Sequence, residues 1–240
     1  MEQKKPKYGV FIIESMDIEN ESRNKLDGLA LKTILDLCDI PNEYYYIRTK
    51  LELEFIIDRF KETDFGFLHI ACHGDEEGLS LCYEDIDFDE LDSMIGEYMK
   101  YRRLFLSACK VARFELAEHF IPKYHCYSVI GSPDDIDYDK AAIFWSSFYY
   151  LMYVNDKEQM FQVDILPTLL KISDTFQLKL NYFSIINSRN PHSINHLREI
   201  NIENGKSVYD SVRKTEFNNK FRNETYYSGM KRQDQDTTSS

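Results

Sequence analysis

The stretch Phe65-Gly-Phe-Leu-His-Ile-Ala-Cys-His-Gly74 decides how the rest of the chain is read. Its first seven residues are almost all apolar, the pattern of a strand covered on both faces of a parallel sheet. It then runs straight into Cys72-His73-Gly74-Asp75, which is polar and turn-forming. Upstream, residues 8–14 are a short apolar run with β-branched members and read as another buried strand. Leu26, Leu29, Ala30, Thr33, Ile34, Leu37 and Cys38 recur at helical spacing, and Pro41 stops that helix. Residues 43–48 read as a strand, and Leu53, Ile56, Ile57 and Phe60 mark the helix after it. Downstream, residues 78–82 suggest a hairpin arm, and Phe88, Leu91, Ile95 and Tyr98 a helix. Residues 104–108 are a fourth strand. Ala112, Leu116, Ala117 and Phe120 give a helix closed by Pro122, and residues 126–130 are a fifth strand. Ala141, Phe144, Trp145, Phe148 and Met152 form a wide apolar stripe on a further helix.

Strands alternating with amphipathic helices predict an α/β fold: a three-layer sandwich, with a mostly parallel sheet and helices on both faces. The spacing assigns residues 1–155 to this core. It assigns 156–213 to a C-terminal helical extension, marked by Leu166, Leu169, Leu170, Ile172, Phe176, Leu178 and Leu180, with Pro167 in a first turn. Residues 214–240 are expected to be a polar, disordered tail.

Composition bounds the function. The chain has 240 residues, 43% of them hydrophobic, which is enough for a sizeable core. Its 29 basic and 41 acidic residues leave a net charge of −12. That argues against a nucleic-acid partner gripped through its phosphates. No apolar run reaches the length of a membrane span, and the run behind the basic residues 1–7 is too short for a signal peptide. Cys38, Cys72, Cys82, Cys109 and Cys126 are odd in number and form no CxxC, so they read as thiols of a reducing cytoplasm. No HExxH or comparable His pairing is present, and neither metal nor cofactor is expected.

In a doubly wound sheet the ligand sits outside the carboxyl ends of the strands. Three such ends carry chemistry: Cys72-His73-Gly74-Asp75, Ser107-Ala108-Cys109-Lys110 and Gly131-Ser132-Pro133-Asp134-Asp135. If the third and fourth strands are neighbours, His73 and Cys109 face one crevice as base and nucleophile. The N–H groups of Gly74 and Cys109 are then placed to bind an oxyanion, and the helix after Cys109 favours its thiolate. Cys72, Cys82 and Cys126 read as small core residues, and His69 as a packed one.

These residues resemble the caspase-like (clan CD) cysteine peptidases. The likeness is nearest to the bacterial CHAT-domain branch, which includes relatives of separase. It is carried by residues 67–74, by Leu104-Phe-Leu-Ser-Ala-Cys109, and by Val129-Ile-Gly-Ser132 with residues 139–149. The resemblance spans residues 8–155. It implies that His73 is the general base and Cys109 the nucleophile of an endopeptidase acting on a protein or peptide. It also implies a pocket lined by residues after the first strand, two before the nucleophile, and after the fifth strand. Here those places hold residues 14–17, Ser107 and residues 132–135, with no basic side chain among them. A carboxylate-binding pocket needs Arg. Asp17, Ser107, Ser132, Asp134 and Asp135 are therefore the expected substrate-binding residues, and the expected cut follows Arg or Lys. A unit without fused sensor repeats is expected to answer to a separate activating or sensor protein, as in a bacterial defence or regulated-proteolysis system.

Two other readings stay open. One is a catalytically inactive caspase-like adaptor. The other is a flavodoxin-like or receiver-like domain, for which Glu14 and Asp17 speak and the His73/Cys109 coincidence does not. The ten carboxylates between Asp75 and Met99, with no Lys or Arg among them, read as a solvated acidic face.

Overall fold

The computed structural model describes residues 6–155, 162–186 and 196–214. Five parallel strands form the centre: β1 (Lys7–Ser15), β2 (Asn42–Tyr46), β3 (Phe65–Gly74), β6 (Arg103–Ser107) and β7 (Ser128–Gly131). A short antiparallel arm, β4 (Gly78–Ser80) and β5 (Asp85–Asp87), branches from the end of β3. Three antiparallel strands, β8 (Leu180–Ile186), β9 (His196–Glu203) and β10 (Lys206–Lys214), extend the sheet beyond β7. The order across the sheet is β10-β9-β8-β7-β6-β3-β1-β2. The connections out of β1 and β2 run in opposite directions. The carboxyl ends of β1 and β3 therefore flank the switch point at which such sheets bind ligands.

Alternation along each strand divides the core in two. Phe11, Ile13, Leu68, Ile70, Leu104 and Leu106 face α3 (Lys50–Glu62), α4 (Phe88–Ile95) and α5 (Phe114–Tyr124). Val10, Ile12, Phe67, Phe105 and Ile130 face α2 (Asp27–Leu37), α6 (Tyr138–Asn155) and α7 (Gln162–Phe176). A five-residue α1 (Ile18–Ser22) follows β1. The result is the three-layer α/β sandwich with helices on both faces. Local signals start two of the helices. Thr49 with Glu52 and Asp87 with Glu90 form capping boxes at α3 and α4. By contrast, α2 has Leu26 at its N-cap and no side-chain cap of its own.

The C-terminal extension departs from expectation. Among its described residues only α7 is helical, and Pro167 lies inside that helix and not in its first turn. Leu180 and the residues after it are strand: Leu180, Tyr182 and Ser184 alternate with Asn181, Phe183 and Ile185 against β7 and β9. The hairpin between β9 and β10 turns on Asn204-Gly205, both at positive φ (48° and 72°), as the tight primed turns require. That dipeptide is the local signal that the helical reading passed over. Asn181 reaches across the joint and donates from Nδ2 to the Ala112 carbonyl (2.8 Å), tying the added strands to the loop behind Cys109. The tail expected over residues 214–240 lies, from residue 215 on, outside the described residues. Among the described residues no helix is long and apolar enough to cross a membrane.

His69 sits on the α6 face of β3, wholly buried, with Nδ1 3.2 Å from the Tyr149 hydroxyl and its ring edge-on to Trp145. Burial pushes its imidazole down to about 3. The unfolded chain therefore takes up this proton first as pH falls below the ordinary value of 6.5, and stability drops between there and about 3. Urea unfolding at pH 7 and pH 4.5 should show it. His69→Gln should lose less stability between the two pH values than the parent, by on the order of 2 kcal/mol at about 1.4 kcal/mol per unit. Equal losses would mean that His69 is not held neutral.

Candidate functional site

The strand register assembles the site. Glu14 pairs with Ala71 and Ala71 with Ser107, so three side chains stand in a row on the α2/α6 face at the strands' carboxyl ends. The middle one is only a methyl group. Over it lies Asp27, the first residue of α2, whose carboxylate accepts the Ser107 hydroxyl (2.6 Å). His73 is two residues beyond Ala71, and Cys109 two beyond Ser107. Both line one cavity of about 190 Å³, with Asp27 and Ser107 inside it and Ile136, Asp137 and Tyr138 along its rim. Gly74 brings the two strand ends into contact. A Cβ there would lie 2.3 Å from Val111 Cγ2 and 3.3 Å from the Cys109 carbonyl oxygen, so only glycine fits.

Each member of the expected dyad is held by a loop. The His73 Nε2 lies 2.8 Å from Asp17 Oδ2, 3.1 Å from the Tyr138 hydroxyl and 3.1 Å from Asn20 Nδ2. Asp17 caps α1, accepting the Asn20 backbone N–H at 2.8 Å and its side-chain amide at 2.6 Å. That backbone bond is the main reason its carboxyl is held below the usual range, with the Asn20 amide and His73 adding to it. A carboxylate at Nε2 selects the tautomer with its proton there and leaves Nδ1 as the basic nitrogen. Tyr138 stays a phenol, pushed up to about 12, first by burial and then by Asp17, Asp27 and Cys109. The Cys109 Sγ accepts the Ile136 N–H (3.4 Å) and lies 3.9 Å from the Ile136 carbonyl. Among the described residues no hydrogen bond joins it to His73.

The surroundings of Cys109 favour the neutral thiol. Burial is the largest influence on Cys109 and raises it; the Ile136 N–H acts the other way and Asp135 again upward. The helix dipole expected to favour the thiolate is displaced, because α5 begins only at Phe114 and its field fades within a turn. Lys110, next to Cys109, takes a left-handed backbone (φ 61°), uncommon outside glycine and typical of strained functional turns.

The expected substrate-binding acids are placed elsewhere. Asp17 serves His73, not the pocket. Asp134 pairs with Lys179 (3.2 Å) and Asp135 with Lys110 (3.1 Å), both at the surface. Ser132 is buried, and its hydroxyl shapes its own turn through the Asp134 carbonyl and N–H. Ser107 does line the cavity. The buried acid in the cavity is Asp27, which sequence reading did not single out; Asp137, also lining it, is exposed. Burial pushes Asp27 up to about 6, against the Ser107 hydrogen bond and the pull of His73. Its only local mark is an acidic residue ahead of glycine where the helix begins. Among the described residues no group of three or more His, Cys, Asp or Glu is arranged to hold a metal.

No family model matches the chain, and no curated protein matches it. Among solved structures, the crystal structure of caspase-1 from Spodoptera frugiperda is similar, at 15% identity and a TM-score of 0.48, over 80% of this chain and 83% of that one.

The contact of the two strand ends can be checked by stability. Gly74→Ala should cost about 1–3 kcal/mol in urea unfolding through the clash with Val111. Combined with Val111→Ala, the loss should fall short of the sum of the two single losses, since the segments touch. Strict additivity would place them apart.

Proposed function

We propose that this protein is a caspase-like cysteine endopeptidase that cuts after Arg or Lys, with Cys109 as nucleophile and His73 as general base. One observation carries the reading: His73, Cys109 and the buried Asp27 line the same cavity at the sheet's switch point. The Cys109 thiol gives its proton to His73 Nδ1 as sulfur attacks the scissile carbonyl, because a buried thiol with a raised pKa needs a base at the moment of attack. The N–H groups of Gly74 and Cys109 receive the developing oxyanion. His73 passes the proton to the leaving amine, and water, deprotonated by His73, then releases the acyl group. Asp17 holds the imidazole in the required tautomer and supports its positive charge. Asp27 receives the basic side chain at the floor, where an uncharged residue would leave a desolvated carboxylate unpaired.

The separation of Cys109 from His73 supports a resting form. Substrate, or a separate activating protein, would draw the Ile136–Tyr138 segment off the dyad. The same separation is the observation that favours the second reading, an inactive adaptor of the same architecture.

A panel of peptides differing only in the residue before the reporter (Arg, Lys, Asp, Leu, Ala) separates these readings. Arg and Lys should be cleaved and the others not, and Cys109→Ala should abolish turnover while preserving the fold. Asp27→Asn should lower kcat/KM for the Arg peptide by roughly 30-fold to several thousand-fold, the equivalent of about 2–5 kcal/mol for truncating a buried charge pair. Asp134→Asn and Asp135→Asn should change it far less. Preferred cleavage after Asp or Leu would remove the basic specificity. Persistent activity in Cys109→Ala would remove the nucleophile.

A further inference from the structure

Glu14 has no step in the chemistry above, yet it is wholly enclosed beside the cavity. Its Oε1 accepts the Gly28 N–H (2.8 Å), and its Oε2 accepts the Leu29 N–H (2.9 Å) and the Tyr44 hydroxyl (2.7 Å). A Cβ on Gly28 would stand 3.0 Å from Glu14 Cδ, so the start of α2 rests directly on the carboxyl. The next residue toward the cavity is Asp27. All three donors to Glu14 are neutral, and no ion pair among the described residues involves Glu14 or Asp27.

We propose that Glu14 is the positioning residue of the pocket: it clamps the first turn of α2 so that Asp27 stands over Ala71, and it loses a proton to solvent when a guanidinium settles on Asp27. This rests on the reading of Asp27 as the acid that receives a basic side chain.

Two enclosed carboxyls without a cation cannot both ionise cheaply. Burial first, and the charge of Asp27 second, push Glu14 up to about 7, against the Tyr44, Gly28 and Leu29 hydrogen bonds. The titratable groups around it are Asp27 from α2, Tyr44 from β2, and Cys72 on β3, whose thiol Glu14 helps to raise; His73 acts on Asp27. Of these only His73 can carry positive charge, and it is bound to Asp17. A guanidinium on Asp27 supplies the missing cation, so ionised Glu14 becomes the favoured form and its proton passes to the buffer.

The probe is propylguanidinium, whose charge is constant across the range, titrated calorimetrically into full-length Cys109→Ala protein from pH 6 to 8 in two buffers of different ionisation enthalpy. Affinity should rise with pH, by up to about tenfold per unit below 7 for one linked proton, and binding should release that proton. Adding Glu14→Gln should weaken binding and flatten the dependence between pH 6.5 and 8. Adding Tyr44→Phe, which removes a bond that favours the ionised form, should move the dependence to higher pH; a purely structural role for Glu14 would not produce this shift. The proposal falls if Glu14→Gln keeps the parental slope, if Tyr44→Phe leaves it in place or lowers it, or if the parent does not bind the probe. The outcomes separate the two readings. Cleavage after Arg with an unchanged slope in Glu14→Gln leaves the peptidase and removes Glu14. Proton-linked binding without any peptide cleavage does the reverse.

Discussion

The carboxyl of Glu14 capping α2 from a neighbouring strand is the constraint on which the site depends. Helix α2 begins without a local cap, and the N–H group of the buried Gly28 would otherwise lack a partner. An unsatisfied buried donor costs about 1–3 kcal/mol, so the first turn of α2 is anchored to the end of β1. Once that turn is fixed, Asp27 has one place to go: above the methyl of Ala71, with Ser107 as its donor. The cavity therefore inherits its acid from the way a helix is started.

The arrangement has a cost that a binding site can offset. Glu14 and Asp27 are both acids raised above their ordinary values. In each case the folded state holds its proton more tightly than the unfolded state. The stability they contribute is present below about pH 4 and is lost as pH rises through about 6 to 7. A fold selected for stability alone would place apolar side chains here, since buried charged groups rarely improve on them. Here two enclosed acids stand near a thiol and an imidazole instead.

The thiol and the imidazole are in turn controlled by backbone they do not own. The segment after β7 places Ile136 on Cys109 and, two residues later, Tyr138 on His73, while the segment after β1 places Asp17 and Asn20 on the same imidazole. The first of these segments is fastened by Lys110 to Asp135 and by Lys179 to Asp134, exposed pairs of small individual worth. Such fastenings are cheap to release, whereas the hydrogen bonds around Glu14 are buried or part-buried. Floor and rim are thus built from different classes of interaction.

By itself the sequence determined the five parallel strands, the helices between them and the presence of His73 and Cys109 at two strand ends. Those features are local: period-two burial, period-3.6 stripes and the polar break at each strand's carboxyl end are written in contiguous residues. It also contained the Asn204-Gly205 turn, although the helical spacing of the leucines before it masked the strands that the turn joins. Only the tertiary structure decided which acid enters the cavity. Asp17, Asp134 and Asp135 lie nearer in sequence to the expected pocket, but the first is claimed by His73 and the others by surface lysines. Asp27 is chosen because the register aligns Glu14, Ala71 and Ser107 across three strands. Register is set by pairing between segments about thirty to sixty residues apart, so no local pattern around Asp27 encodes its place.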